Sequence, residues 1–358
     1  MIVILFLAGL AFLIIGAEML VRGASRMAAV VGISPLIIGL TVVAFGTSSP
    51  ELAVSIKSAL SGQGDIALGN VVGSNIFNVL FILGLSAMIV PLRVSQQLIR
   101  LDVPLMIALS VVILLAALDR NIGQVDGGLL LAGLCLYIAF LIYQGRKASN
   151  TNLTSDKRSS DEDNANVNWV RDVFYVGGGL ILLVIGSRWL VNGAISFAQY
   201  LGVSEVVIGL TIVAAGTSLP EVVTSLIAAV RGERDIAVGN VVGSNIFNIV
   251  GVLGLAGIFA PAGIGVSEGI FRFDIPVMIA VAFACLPVFF TGGVINRWEG
   301  ALLAGYYVAY TLYLVLAATQ HEILPTFSTA MLCFVIPISS VTLLVIAIRE
   351  FSGKDNTG

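Results

Sequence analysis

The sequence predicts an all-α polytopic membrane protein made of two inverted five-helix repeats followed by an eleventh helix. Three observations carry that prediction. Of 358 residues, 58% are hydrophobic and 11% charged, whereas soluble domains carry about 25% charged residues. Apolar runs of about 20 residues, enough to cross roughly 30 Å of hydrocarbon, recur along the chain. The decapeptide GNVVGSNIFN, Gly69 to Asn78, is written again from Gly239 to Asn248.

The runs fall near residues 2–21, 35–60, 66–90, 101–118 and 125–143, then 173–191, 204–230, 236–260, 271–291, 297–318 and 323–348. The first lacks a basic start and an A-x-A-like site, so it reads as a helix and not as a cleaved leader. Its pattern also returns within the chain: IIGAEMLVRGA (14–24) is similar to VIGSRWLVNGA (184–194). Between the fifth and sixth runs, residues 144–172 are polar, mixed in charge and aperiodic, and read as a cytoplasmic linker. The expected organisation is therefore a first repeat over 1–143, the linker over 144–172, a second repeat over 173–318, and an extra helix and tail over 319–358.

The duplication extends beyond the decapeptide. GLTVVAFGTSSPE (39–51) pairs with GLTIVAAGTSLPE (209–221), and RLDVPLMIA (100–108) with RFDIPVMIA (272–280). Five crossings per repeat make the second repeat run opposite to the first. With the amino terminus outside, only Lys57, Arg120, Arg188 and Arg272 of the 18 Lys and Arg residues lie on the outer side. The positive-inside rule then puts the linker in the cytoplasm of a cell (inner) membrane protein, with the carboxyl terminus on the same side. Equivalent loops are recharged to match: SGQGD (61–65) is neutral where RGERD (231–235) is basic. Inverted repeats with a site at their midplane interface are a recurring plan of secondary transporters.

The polar residues of the repeats indicate what such a site holds. Ala44, Thr47, Ser48 and Glu51 are spaced i, i+3, i+4, i+7 and share one helical face, as do Ala214, Thr217, Ser218 and Glu221. A carboxylate at the bilayer centre is costly unless it is paired or serves a cavity, and these helices offer no cation beside it. Pro50 and Pro220 remove a backbone N–H and clash one turn back, at Gly46 and Gly216. A break there is expected to free carbonyls around Ala44 and Ala214. Carboxylates, hydroxyls and carbonyls form a hard oxygen set suited to Ca2+, or to several Na+ sharing the same oxygens. Asn70, Ser74 and Asn78 make a polar stripe, as do Asn240, Ser244 and Asn248. Gly69 with Gly73, and Gly239 with Gly243, form small-residue seams for a neighbouring helix. For Asn70, Asn75, Asn240 and Asn245 the alternative is interhelical hydrogen bonding without ion contact.

The paired GTS-x-PE and GN-x-x-GSN-x-x-N blocks resemble the alpha repeats of the sodium/calcium exchanger family, within the calcium/cation antiporter superfamily, over residues 1 to about 318. The resemblance, to the prokaryotic type, implies ten core helices and a metal site of Glu51, Glu221, Thr47, Thr217, Ser48, Ser218, Ser74, Ser244, Asn78, Asn248 and the carbonyls of Ala44 and Ala214. It implies exchange of Ca2+ for Na+ by alternating access, with the first and sixth helices sliding across a rigid core. Some members, including potassium-dependent ones, carry Asp where this chain has Asn248. The eleventh helix is a second departure, and the linker lacks the large regulatory domains of animal exchangers.

Ca2+/H+ exchange, K+-dependent Na+/Ca2+ exchange and a cation channel are the alternative readings. No nucleophile/base constellation suggests an enzyme, and the expected partners are the ions and the lipid bilayer, with no cofactor, protein partner or nucleic acid. Cys135, Cys285 and Cys333 stand singly in apolar runs and read as packing residues. Asp102 and Asp274, each before a Pro, are expected as caps or interfacial pairs, Glu18 as an interface residue, and His321 as part of a polar loop.

Overall fold

A computed structural model describes residues 2–31, 33–155, 169–203, 205–290 and 292–354. The middle of the expected linker and the last residues of the tail lie outside these. Eleven helical segments follow in chain order: α1 (Ile2–Val31), α2 in two parts (Pro35–Thr47 and Ser49–Leu60), α3 (Gly64–Ile89), α4 (Leu98–Ala116) and α5 (Gln124–Ser155). Then come α6 (Trp169–Tyr200), α7 in two parts (205–216 and Leu219–Val230), α8 (Arg234–Phe259), α9 (Ile270–Phe290), α10 (Arg297–Ala318) and α11 (324–354). Nine helices among the described residues are long and apolar enough to span a membrane, and the two parts of α2 make a tenth, bent by 47°. The fifth helix continues to Ser155, into the segment expected as linker.

The helix boundaries follow from local chemistry. Ser34 caps α2, its Oγ accepting from the Ile37 amide at 3.3 Å, with Pro35 at the first helical position, where its missing N–H costs nothing. Asn296 and Glu299 form a capping box at α10. Within the spans, π-helical turns occur at matching places in both repeats: Gly39–Val43 and Gly209–Val213, Asn78–Leu83 and Asn248–Leu253, Leu98–Asp102 and Ile270–Asp274.

Two short antiparallel ladders agree with the inversion. β1 (Leu92–Arg93), which follows α3, pairs with β4 (Val294–Ile295), which precedes α10. β2 (Asn121–Ile122), which precedes α5, pairs with β3 (Ile264–Gly265), which follows α8. Each loop thus meets the loop that is not its sequence equivalent, as it must if one repeat is turned over. The β1–β4 ladder marks the membrane face that also carries the linker; the β2–β3 ladder marks the opposite face.

α1 and α6 lie side by side as one close-packed antiparallel pair. Gly9, Gly16 and Gly23 of α1 face Gly186, Gly179 and the start of α6, and a Cβ added at Gly16 would sit 2.8 Å from the Gly179 carbonyl oxygen. The seven-residue spacing holds the glycines on one face over three pairs of turns, so the backbones themselves are in contact. Hydrophobic effect contributes little between helices in lipid, and this contact is dispersion and close fit.

The core of the molecule is α3 and α8. Val71, Val72, Ile76, Val241, Val242 and Ile246 are fully or almost fully buried, and the polar stripes of these helices are turned toward the broken helices α2 and α7. α11 is exposed along nearly its whole length, with Tyr306 of α10 hydrogen-bonded to Ser339 at its inner surface.

Candidate ion-binding site

α2 and α7 break where the sequence places a serine before Leu/Ser-Pro-Glu. Ser48 and Ser218 depart from helical ψ, at 7° and 8°, and a new helix starts at the next residue with Pro50 or Pro220 in its first turn. Glu51 and Glu221 thereby fall in the first turn of the second half-helices, where the unpaired amides and the dipole favour negative charge. Both glutamates are 0% exposed.

The two repeats exchange hydrogen bonds across the centre. Ser218 Oγ donates to Glu51 Oε1 at 2.7 Å and Ser48 Oγ donates to Glu221 Oε1 at 2.9 Å. Ser74 Oγ lies 3.2 Å from Ser218 Oγ. Thr47 donates to Asn240 Oδ1 at 3.1 Å, and Thr217 to Asn70 Oδ1 at 3.4 Å. A second crossed pair lies alongside: Asn78 Nδ2 donates to Asn245 Oδ1 at 3.0 Å, and Asn248 Nδ2 to Asn75 Oδ1 at 3.1 Å. Because an acceptor fixes each amide nitrogen, the oxygens of Asn78 and Asn248 point the other way.

Among the described residues, the buried oxygens without a hydrogen-bond partner include five from the residues singled out in the two repeats: Glu51 Oε2, Glu221 Oε2, Asn78 Oδ1, Asn248 Oδ1 and Ser244 Oγ. Buried polar atoms are paired in the great majority of cases, so five orphans from the matching motifs of the two repeats mark a candidate site. Four of them are pure acceptors. Such a site fits a hard cation and rejects an anion or a hydrogen-bond acceptor.

The structure therefore joins Glu51, Ser218 and Ser74, Glu221 and Ser48, and Thr47 and Thr217 by bonds between the repeats, and Asn78 and Asn248 by a separate crossed pair, with Ser244 among the unsatisfied oxygens. Ala44 differs from the expectation. Its carbonyl accepts the Ser48 amide at 3.0 Å and the Thr47 hydroxyl at 3.4 Å, because Pro50 removes only its own N–H, the partner of Gly46. In the second repeat the equivalent carbonyl, that of Gly216, accepts the Ser187 hydroxyl from α6 at 2.7 Å. Ala214 is exposed where Ala44 is buried.

Asn70 and Asn240 serve as braces. Each amide nitrogen bonds a serine of the broken helix, Ser55 or Ser225, at 2.9 Å, and the backbone carbonyl of Glu51 or Glu221. Asn75 and Asn245 bond each other's backbone carbonyls and the sulfurs of Met278 and Met106. The sequence reading missed Ser55, Ser225 and Ser187; their spacing from the glutamates, one helical turn for Ser55 and Ser225, was the available signal.

Asp102 and Asp274 do not cap helices. Asp102 is buried and accepts from Tyr137 Oη at 3.0 Å, and Asp274 accepts from Tyr310 Oη at 2.8 Å. The π-helical turns in which both sit change the phase of the helix and turn these carboxylates toward α5 and α10. His321 lies in the loop before α11, its Nδ1 accepting the Ile323 amide.

The two repeats are not in the same arrangement. The first half of α2 is pressed onto α8: a Cβ added at Gly243 would meet Leu40 Cα at 2.7 Å and Ala44 Cβ at 2.9 Å. Among the described residues the equivalent Gly73 has nothing within 4 Å, and neither has Gly209 of α7. Burial follows the same division. Thr47 and Asn240 are 1% and 0% exposed, while Thr217 and Asn70 are only partly covered. The glutamates are buried on both sides, but the packing around them is closer toward the linker face than toward the opposite face.

A second asymmetry concerns α1 and α6. α1 packs along the second half of α7, yet the equivalent surfaces of α6 and α2 barely touch. In its place the second half of α2 carries an open groove of about 540 Å³ lined by Ser49, Leu52, Ala53, Ile56, Lys57, Leu60 and Ser61.

Comparison with known proteins follows the same division of the chain. The sodium/calcium exchanger protein family matches residues 1–144 and 172–316. A putative antiporter, CaxA of Alkalimonas amylolytica, is 39% identical over 86% of this chain and 96% of its own length. The sodium/calcium exchanger MaX1 of Methanosarcina acetivorans is 37% identical over 87% of this chain and 97% of its own. Solved structures of the sodium-calcium exchanger NCX_Mj superpose with a TM-score of 0.73 at 31% identity, covering 86% of this chain and 96% of that one.

Proposed function

This chain belongs to the sodium/calcium exchanger protein family, and from that premise we propose that it is a secondary active antiporter exchanging Ca2+ for Na+ at the Glu51–Glu221 site. The observation that supports the reading most is the set of five partnerless buried oxygens, two from carboxylates, two from amides and one from a hydroxyl. Ionised glutamates give the site a charge of about −2, which one Ca2+ balances or which several Na+ share. Thr47 and Thr217 join the site through their bonds to Asn240 and Asn70.

Alternating access follows from the difference between the repeats. Exchanging their arrangements would lift the first half of α2 off Gly243 and lower the first half of α7 onto Gly73. The same exchange would move the α1–α6 pair as one body, taking α1 off α7 and seating α6 in the groove along α2. The loosely and closely packed faces would then trade places, which is what a carrier requires and a channel does not. The excess of Lys and Arg places the linker face, and with it the carboxyl terminus, in the cytoplasm and the amino terminus outside. On this reading the arrangement described here is the one more loosely packed toward the outside.

K+ is not needed in this reading, because Asn78 and Asn248 supply neutral oxygens and no third carboxylate joins the site. Binding of radiolabelled Ca2+ to the purified protein, competed by Na+, K+ or choline, tests the assignment. Competition by Na+ alone is expected; competition by neither cation removes the shared site.

A further inference from the structure

The linker face carries a charged contact between the α1–α6 pair and the α7–α8 body that has no counterpart, among the described residues, between α6 and the α2–α3 body on the opposite face. Glu18 of α1 receives Arg22 of the same helix at 2.6 Å and Arg231 from the end of α7. Beside it, Ser25 Oγ of α1 donates to Glu233 Oε1, in the turn before α8, at 2.6 Å. Further along, Arg26 pairs with Asp172 of α6 at 3.8 Å, within the α1–α6 pair. The Glu18–Arg231 and Ser25–Glu233 bonds therefore cross from the α1–α6 pair to the α7–α8 body, while Arg22 and Arg26 stay within the pair.

The inverted repeat shows what the opposite face would offer in the exchanged arrangement. By the alignment of IIGAEMLVRGA with VIGSRWLVNGA, Glu18 corresponds to Arg188 and Arg22 to Asn192. By that of SGQGD with RGERD, Arg231 corresponds to Ser61 and Glu233 to Gln63. Seating α6 in the groove along α2 would bring Arg188 toward Ser61, with Lys57 lining the same groove. A cation would meet a neutral residue and a second cation. The GTS-x-PE and GNVVGSNIFN motifs are the same or nearly so in both repeats; the residues of this contact are not.

We infer that Glu18, Arg231, Ser25 and Glu233 form a one-sided latch that holds the linker face closed and biases the carrier toward the arrangement open at the opposite face. The latch lies outside the ion-binding site. It acts on the equilibrium between the two arrangements, so it depends on the proposed alternating access but not on which ions are carried. Both partners are partly solvated, with Glu18 26% and Arg231 37% exposed, so the bias is modest and falls as salt rises.

The test uses full-length protein in nanodiscs, with Cys135, Cys285 and Cys333 replaced by Ala, and one reporter at a time, Ala214→Cys or Ala44→Cys. The ratio of their labelling rates by a polar maleimide reads the balance of the two arrangements. Glu18→Gln and Arg231→Gln are each expected to lower the ratio of Ala214→Cys to Ala44→Cys labelling by about two- to five-fold. The double variant should do no more than either alone, and Arg22→Gln, which leaves the crossing bonds in place, should change it least. Ser25→Ala and Glu233→Gln give the same direction by an independent contact if a charge variant fails to fold. An unchanged ratio in Glu18→Gln and Arg231→Gln, or additive effects in the double variant, overturns the latch. Na+-driven Ca2+ exchange in the unaltered protein separates the two claims: exchange with an unmoved ratio removes the latch alone, and a moved ratio without exchange removes the ion assignment alone.

Discussion

Gly243→Ala and Gly73→Ala put the same methyl group at equivalent places in the two repeats, and the account requires opposite results. At Gly243 the new Cβ meets Leu40 Cα at 2.7 Å, Leu40 O at 2.9 Å and Ala44 Cβ at 2.9 Å. Backbone atoms of a packed helix cannot yield as a flexible side chain does. Overpacking of this kind costs about 1–3 kcal/mol, and it is charged only to the arrangement in which α2 lies on α8. The equilibrium should therefore move about 5- to 150-fold toward the other arrangement. At Gly73 the methyl has nothing within 4 Å among the described residues, so it costs nothing here and clashes only when α7 closes on α3. The gain in helix propensity on replacing Gly, about 1 kcal/mol, is common to both arrangements and cancels. Labelling of Ala214→Cys and Ala44→Cys by a polar maleimide reads the outcome. Gly243→Ala should slow the first and speed the second; Gly73→Ala should do the reverse. Both should slow cycling. Shifts in the same direction, or none with Gly73→Ala, would refute the exchange of arrangements.

Further outcomes are expected. Glu51→Gln and Glu221→Gln each remove a buried charge from facing an ion, a loss of about 3–5 kcal/mol by analogy with a broken buried ion pair, so Ca2+ binding should weaken by about two to four powers of ten while size-exclusion profiles stay normal; near-normal Ca2+ flux in either would remove that residue from the site. Asn248→Asp should alter which cations support Ca2+ flux more than it alters thermal stability, and an unchanged cation dependence would show that the Asn248 oxygen does not face the ions. Gly16→Val drives a branched side chain into the Gly179 carbonyl, 2.8 Å from the first added atom, and should lower thermal stability and stop transport; an unaffected melting temperature would mean that α1 and α6 are not locked together. Impermeant labelling of intact cells should reach Ser61→Cys and spare Arg231→Cys, and equal labelling of both would overturn the topology.

Much of this was legible in the sequence because the repeat writes everything twice. A carboxylate in an apolar helix beside Ser, Thr and Pro is costly enough to need a cation, and finding it in both halves made Glu51 and Glu221 the centre of the site before any geometry was known. The inversion was readable from the odd number of helices and from the recharged loops, and the crossed β1–β4 and β2–β3 ladders agree with it. What was not legible depends on phase and on state. The Ala44 carbonyl was expected to be freed by Pro50, yet the Ser48 amide still reaches it, because a proline deletes one donor and not its neighbours'. Asp102 and Asp274 read as caps or interfacial pairs from their place before Pro104 and Pro276; π-helical turns, which residue counting does not reveal, direct them to Tyr137 and Tyr310. The seven-residue glycine seam of α1 and α6 was present in the letters but carries meaning only once the two helices are known to touch. Least legible of all was the difference between Gly243 and Gly73, which sit in identical decapeptides. On the proposed alternating access their surroundings differ because the molecule occupies one of two arrangements, and a sequence encodes both.

The central claim is that a Na+ gradient moves Ca2+ through the Glu51–Glu221 site. Uptake of radiolabelled Ca2+ into proteoliposomes, loaded with Na+ and diluted into Na+-free medium with choline in place of K+, measures it directly. The account predicts rapid uptake that collapses when the Na+ gradient is removed, persists without K+, and is absent with Glu51→Gln or Glu221→Gln. Uptake that requires K+, or that follows only an imposed pH gradient, would contradict it.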